Sequence, residues 1–99
     1  MPYRVEYSPD SEDYLRAMTA RQQRLVLDAV DEQLTYQPTI ETINRKPMRP
    51  NPLAPWELRV GDLRVYFDVE EGPDPVVLVR AVGRKERHRV RIGREVIEL

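Results

Sequence analysis

The stretch of sequence that decides the fold is Trp56-Glu-Leu-Arg-Val-Gly-Asp-Leu-Arg-Val-Tyr-Phe67. Apolar residues alternate with polar ones on both sides of Gly61-Asp62, and alternation of this kind is typical of a strand with one buried face. Two such runs separated by a Gly-Asp pair predict a tight β-hairpin. A two-residue turn also fixes which residues of the two strands lie opposite each other.

This register divides the hairpin into two faces. The core face, which we expect under the helices, pairs Trp56 with Phe67, Leu58 with Val65 and Val60 with Leu63. On the other face Arg59 opposes Arg64, and Glu57 opposes Tyr66. Like charges that are directly opposed destabilise a sheet, so the arginine pair indicates a function. The alternative is an ordinary surface ion-pair ladder, in which Glu57 or Asp68 neutralises the arginines.

The residues before the hairpin predict a strand and two helices. Apolar and polar residues alternate over residues 3–7, which predicts a strand. Ser8-Pro9 then has the hydroxyl N-cap and the first-turn proline that are typical of a helix start. Thr19 and Gln22 have the spacing of a capping box, which starts a second helix that ends before Pro38. Residues 38–55 contain five of the nine prolines, so we expect a long loop there, of the kind that is often functional.

The residues after the hairpin complete an α+β fold. Residues 76–82 are almost continuously apolar, which is typical of an inner strand that is buried on both faces. The order is β-α-α-β-β-β, and a basic tail through Val90 and Ile92 can add a strand. We predict a single domain over residues 1–99, with a twisted antiparallel sheet of about four strands and a helical hairpin on one face. The run 95–99 fits either strand or helix.

The charge distribution is uneven although the formal net charge is only −1. The segment from Arg80 to Arg94 contains seven cations against a single carboxylate, Glu86. If Val77, Val79 and Ala81 face the helices, Arg80 joins the outer face of the sheet, and the tail extends it into a basic surface. Such a surface attracts polyanions, although a run of arginines can also be a solvated face without a partner.

Composition narrows the possible chemistry. The chain has no cysteine and one histidine, His88, which excludes a disulfide framework and predicts no metal site. No apolar run approaches the roughly 20 residues of a membrane span or the core of a signal peptide, so we expect a cytoplasmic protein.

The outer-face residues suit cleavage of RNA without a metal. The 2′-hydroxyl attacks the adjacent phosphate, and arginines stabilise the charge that develops on the phosphoryl oxygens. The groups available as general acid or base are Glu57, Tyr66, His88 and Lys85. His88 can equally be a surface residue, and Trp56 is better explained as a core anchor than as a stacking platform for bases.

At this point the chain resembles a known family. The quoted hairpin closely resembles that of RelE/ParE-type toxins, and Val82-Gly83-Arg84-Lys85-Glu86-Arg87 is similar to the family's exit from its last inner strand. With the two helices and the proline-rich approach, the resemblance covers nearly the whole chain. It implies the toxin of a type II toxin–antitoxin system, which a cognate antitoxin holds inactive in a hetero-oligomer.

The resemblance also implies an activity. Ribosome-dependent members are endoribonucleases that cleave mRNA without a cofactor and thereby inhibit translation and arrest growth. Residues matching Arg59, Arg64 and Lys85 bind phosphate and stabilise the transition state in those members. This chain departs from them at Arg91, which replaces a late tyrosine, and at Glu57, which replaces a lysine. The alternatives are a ParE-like poison of DNA gyrase without catalysis, and an inactive relative that only binds an antitoxin.

The complete predicted site has two parts and no metal ligand. The predicted catalytic residues are Arg64, Lys85, Arg59, His88 and Glu57. The predicted RNA- or phosphate-binding residues are Arg80, Arg84, Arg87, Arg89, Arg91 and Tyr66.

Overall fold

The structure, a computed structural model, describes residues 2–98 and contains two helices and seven strands within that range. In chain order these are β1 (Arg4–Tyr7), α1 (Pro9–Arg16), α2 (Ala20–Leu34), β2 (Arg45–Pro47), β3 (Trp56–Val60), β4 (Leu63–Glu70), β5 (Val76–Glu86), β6 (Arg89–Ile92) and β7 (Glu95–Glu98). The strands lie side by side in the order β2-β3-β4-β5-β6-β7, and β1 pairs in parallel with the first half of β5.

Both helices begin at the predicted caps. The Ser8 hydroxyl accepts a hydrogen bond of 3.1 Å from the Ser11 backbone N–H, and Pro9 opens α1. At α2 the Thr19 hydroxyl accepts from the Gln22 N–H, while the Gln22 side chain accepts from the Thr19 N–H, both at 3.1 Å. These reciprocal bonds form the predicted capping box and satisfy backbone groups that the first turn leaves free.

The β3–β4 hairpin has the predicted register. Arg59 opposes Arg64 and Glu57 opposes Tyr66. Gly61 adopts a φ of 62° in the turn, a conformation that glycine reaches without the steric penalty of a Cβ atom. The turn therefore places both arginines on the same face of the sheet.

The main core lies between this sheet and the two helices. Trp56 and Phe67 stack on the helix face with ring centroids 6.1 Å apart. Burial of each large apolar side chain contributes roughly 1.5–3 kcal/mol, so this cluster is the main source of stability. Its buried members are Leu15, Val26, Ala29, Val30, Leu34, Leu58, Leu63, Val65, Phe67, Val77, Val79 and Val82.

The position predicted for Ala81 is wrong, because β5 contains a β-bulge. Tyr66 pairs with Ala81 and Phe67 pairs with Val79, so Arg80 is an extra residue without a partner on β4. The bulge reverses the alternation, and Ala81 therefore faces away from the helices while Val82 faces them. Arg80 remains on the outer side, as expected, because it follows Val79, which faces the helices as predicted.

The outer face is not uniformly exposed to water. It carries a second, smaller apolar cluster of Ala54, Tyr66, Ala81, Val90 and Ile92. Met48 and Leu53 of the proline-rich loop and Ile97 of β7 pack against it. The loop and the β6–β7 hairpin thus cover part of the face that the sequence predicted to be basic and open.

The fold class is confirmed, and the sheet has more strands than the four or so that were expected. The short strands β2, β6 and β7 extend both ends of the sheet. Gly93, with a φ of 62°, turns the basic tail back on itself, so Glu95–Glu98 is strand. Leu99 lies outside the described residues. Neither helix in the described range is long and apolar enough to cross a membrane.

Candidate active site

Glu57 lies at the centre of the outer-face polar residues. Its side chain is 8% exposed and is held at both oxygens. Oε1 accepts a hydrogen bond of 3.1 Å from Arg59 Nε, and Oε2 accepts one of 3.1 Å from the Tyr66 hydroxyl. Arg64 Nε lies 4.0 Å from the same Oε1. One buried carboxylate therefore sits between both guanidinium groups of the arginine pair.

Arg64 is the less accessible member of the pair. Its side chain is 13% exposed, whereas that of Arg59 is 48% exposed. Arg64 Nη1 donates to the carbonyl oxygens of Gly61 and Leu63 at 2.7 and 2.8 Å, which anchors the guanidinium to its own turn. Arg64 is thus held behind Glu57, and Arg59 is the arginine that faces solvent.

The position of Tyr66 does not allow its predicted role as a residue that contacts RNA. It is fully buried, because the loop and the β6–β7 hairpin pack over it, and a ring without exposed surface cannot stack on a base. Burial and the Glu57 carboxylate raise the pKa of the Tyr66 phenol far above its usual value of 10.0. The phenol therefore stays protonated at neutral pH and serves as a fixed donor to Glu57.

Lys85 and the proline-rich loop complete an open cleft in front of Glu57. We call it the Glu57 cleft; it has a volume of about 240 Å³ and is lined by Lys46, Pro47, Met48, Arg49, Pro50, Asn51, Glu57, Arg59 and Lys85. The Lys85 backbone N–H donates to the Asp62 carbonyl at 2.8 Å, which ties the end of β5 to the hairpin turn. Four cations thus surround a single carboxylate.

Lys46 and Arg49 were missed by the sequence reasoning. Lys46 lies in the short strand β2 and Arg49 in the loop that follows it, a stretch without the alternation that could assign a residue to a face. The signal that could have found them is the cluster of cations in Arg45-Lys46-Pro47-Met48-Arg49, because basic residues held by prolines project from a stiffened backbone. Lys46 Nζ also lies 3.3 Å from the exposed Glu41 carboxylate.

Arg84 and Arg91 lie on the opposite face of the sheet. They pair across β5 and β6, and both line a groove with Tyr14 and Met18 of the helical layer. Glu86 bridges them, with its carboxylate 3.3 Å from Arg84 Nη2 and 2.7 Å from Arg91 Nε. Hydrogen bonds from Arg91 and Arg84 hold the pKa of the Glu86 carboxyl below its usual value.

Arg87, His88 and Arg89 form the tip of the tail hairpin. Arg87 has a φ of 55° in the turn, a left-handed conformation that is strained for a residue with a side chain. His88 is exposed beside it, and Arg89 Nε lies 3.3 Å from the Glu98 carboxylate. These residues border a depression with Glu86 and Arg91 that shares no residue with the Glu57 cleft.

The structure therefore brings together one half of the predicted site. Glu57, Arg59, Arg64 and Lys85 meet on the outer face, with Tyr66 beneath them. The tail arginines and His88 form a separate surface, and their binding of RNA stays a prediction. In the described part of the chain, no group of three or more His, Asp or Glu side chains is arranged to hold a metal ion.

The comparisons with known proteins agree with this architecture. No protein-family model and no curated protein sequence matches the chain. A chain of the crystal structure of the toxin–antitoxin complex RelBE2 from Mycobacterium tuberculosis is similar, with a TM-score of 0.72 and 19% identity; the match covers 86% of this chain and 100% of that one. A chain of the archaeal RelE–RelB complex from Pyrococcus horikoshii matches with a TM-score of 0.67 and 24% identity, over 88% of this chain and 99% of that one. At these identities the likeness establishes the architecture alone, and the chain has the RelE-type fold.

Proposed function

We propose that the chain is the toxin of a type II toxin–antitoxin system and that it cleaves mRNA without a metal, at the Glu57 cleft. The observation that carries the proposal is the buried Glu57 carboxylate, held by Tyr66 and Arg59 beneath an open rim of cations. A carboxylate in this setting can take a proton, and the cations around it can bind a phosphate.

The cleavage step follows from these groups. The 2′-hydroxyl of the RNA attacks the adjacent phosphorus atom while Glu57 accepts its proton, and a new P–O2′ bond forms. Negative charge develops on the phosphoryl oxygens, where Arg59 turns from Glu57 to donate hydrogen bonds and Arg64 supplies a fixed positive charge. The P–O5′ bond then breaks, and Lys85 donates a proton to the leaving oxygen. The products are a 2′,3′-cyclic phosphate and a 5′-hydroxyl.

The solved complexes support the proposed partner. One matched structure is a toxin–antitoxin complex, and the other is a complex of RelE with RelB. We therefore infer a cognate antitoxin that forms a hetero-oligomer with this chain. The proposed site of action is the ribosome in the cytoplasm, where growth arrest would follow from cleavage of translated messages.

One observation favours a toxin without catalysis. Both arginines of the pair already have partners, since Arg59 is bonded to Glu57 and Arg64 to backbone carbonyls. A chain that had lost phosphate binding could still poison DNA gyrase or bind an antitoxin. Catalysis therefore requires that a phosphate compete with Glu57 for Arg59.

Mapping of 5′ ends on cellular messages after induction of the chain tests the proposal. We expect new ends within translated codons for the wild type, and none for Arg64→Ala or Glu57→Gln. Arg16→Ala is the control, because Arg16 is an exposed, ion-paired arginine on α1. Growth arrest with intact messages and DNA-damage signalling would instead indicate the gyrase poison, and the nuclease proposal would be abandoned.

A further inference from the structure

A second pocket lies beside the Glu57 cleft, between Arg80 and the proline-rich loop. We propose that this Arg80 pocket binds one unpaired nucleobase of an RNA strand whose neighbouring phosphate lies in the Glu57 cleft. The inference rests on the proposed function and adds a specificity site to it.

The pocket has the size and the lining that a base requires. Its volume is about 430 Å³, and the lining residues are Met48, Arg49, Pro50, Asn51, Leu53, Ala54, Pro55 and Arg80. Most of these are apolar, with a planar cation at one side. Proteins bind unpaired bases on apolar or aromatic surfaces and on the planes of arginine guanidinium groups.

The wall of the pocket is held in place by one side chain, Asn51. Its Oδ1 accepts hydrogen bonds from the backbone N–H groups of Leu53 and Ala54 at 2.8 and 3.2 Å. Its Nδ2 donates to the carbonyl oxygens of Arg49 and Ala54 at 2.7 and 3.0 Å. Ala54 is in turn buried in the outer apolar cluster. The loop is therefore a preformed wall, so little ordering would oppose binding.

Arg80 is the extra residue of the β5 bulge, and its side chain lines this pocket. As the extra residue of the bulge, Arg80 has no cross-strand partner on β4, and bulges often redirect a side chain next to a functional site. Its side chain is 47% exposed, and Nη2 lies 3.5 Å from the Asp68 carboxylate, which is 38% exposed. The guanidinium is thus accessible, and Asp68 only partly neutralises it.

The two sites are continuous. They share four lining residues, Met48, Arg49, Pro50 and Asn51. Arg80 is three residues along β5 from Gly83, which pairs with Arg64, a separation of roughly 10 Å at the rise of a strand. A strand whose phosphate lies at Arg59 can therefore place a neighbouring base against Arg80. A phosphate alone would not account for the apolar wall.

Binding of non-cleavable RNA tests the pocket. The probe is a fluorescent 2′-O-methyl hexanucleotide, in which each nucleotide in turn is made abasic, and affinity for the purified chain is measured by anisotropy. We expect one abasic position to weaken binding by about 10-fold, in line with the loss of a stacked base. Arg80→Ala should weaken the intact probe similarly and should add no further loss to that abasic probe.

Asp68→Asn is the matched gain-of-affinity variant. It removes the carboxylate that competes for Arg80, so we expect tighter binding of the intact probe and no change for the abasic one. A misfolded variant could not produce this result. Equal affinity at every abasic position would overturn the base pocket. An equal effect of Arg80→Ala on all probes would also overturn it and would show that Arg80 contacts the phosphate backbone instead.

A parallel cleavage assay on a ribosome-bound message separates this inference from the nuclease proposal. If one abasic position weakens binding and the ribosome-bound message stays intact, the pocket stands and the nuclease fails. If RNA is cleaved and no position matters, the pocket alone is wrong. If the intact probe does not bind, the inference is overturned.

Discussion

Glu57 and Tyr66 lie directly opposite each other on β3 and β4, and the Tyr66 hydroxyl donates a 3.1 Å hydrogen bond to the Glu57 carboxylate. Tyr66 is fully buried, and the Glu57 side chain is only 8% exposed. A buried carboxylate is costly unless its oxygens are bonded. The phenol therefore stabilises the carboxylate and fixes its orientation towards the Glu57 cleft. Tyr66 also belongs to the outer apolar cluster, so the packing of that cluster holds the proposed base in place.

Replacement of Tyr66 by phenylalanine should destabilise the protein without changing the fold. Tyr66→Phe keeps the buried ring and removes the donor to Glu57, and an unsatisfied buried acceptor costs about 1–3 kcal/mol. Urea unfolding should show this loss of free energy. Tyr36→Phe is the control, since Tyr36 is 70% exposed and should be neutral. A stability equal to that of the wild type would show that water replaces the phenol.

Stability should fall at alkaline pH. Burial and the nearby Glu57 raise the pKa of Tyr66 above its ordinary 10.0, and burial and Asp31 raise the pKa of Tyr7 to about 12. The folded state keeps these phenols neutral, whereas the unfolded state ionises them near pH 10. The contribution to stability is therefore complete below about pH 10 and is lost as the pH rises above it. Urea midpoints between pH 8 and 11 should fall less steeply in Tyr66→Phe, and identical slopes would argue against the linkage.

Gly83 should not tolerate a methyl group. A Cβ atom at this position would lie 2.4 Å from the Arg91 carbonyl oxygen and 2.8 Å from Ile92 Cγ1, so β6 would have to move. We expect Gly83→Ala to lower the free energy of unfolding by about 2–3 kcal/mol, the upper range for overpacking. Gly61→Ala, where the space is open but φ is 62°, should cost about 1–2 kcal/mol through backbone strain. A neutral Gly83→Ala would show that the tail hairpin is not packed against β5.

The two faces of the sheet should differ in their binding of RNA. Arg59→Ala removes an open-cleft cation, so affinity should fall and the salt dependence of binding should decrease by about one charge. Arg91→Ala removes a cation on the opposite face of the sheet, outside the Glu57 cleft, so we expect little effect. Anisotropy titrations at several salt concentrations measure both. An equal loss in Arg91→Ala would show that the tail is the RNA surface, as the sequence predicted.

The sequence was sufficient for the hairpin and for the helices. A two-residue turn fixes the register, so the opposition of Arg59 to Arg64 follows from counting residues. The helix caps at Ser8 and Thr19 are local hydrogen bonds between near neighbours, and such signals do not depend on the tertiary structure.

The sequence was insufficient where distant segments meet. Alternation in 76–82 cannot reveal a bulge, because the extra residue is defined only by pairing with β4, and Ala81 was therefore assigned to the wrong face. Tyr66 alternates like an exposed residue, and only the packing of the loop and the β6–β7 hairpin buries it. The tail arginines form one run in the sequence. In the structure, strand alternation points their side chains in different directions, and carboxylates form ion pairs with some of them.

Cleavage of a ribosome-bound message by the purified chain tests the central claim most directly. The message carries a single 2′-deoxy nucleotide at the position that the all-RNA message shows to be cut. We predict fragments with a 2′,3′-cyclic phosphate from the all-RNA message, no cut at the deoxy position, and loss of both fragments in Glu57→Gln. Cleavage that persists at the deoxy position, or full activity of Glu57→Gln, would contradict the proposed role of the Glu57 cleft.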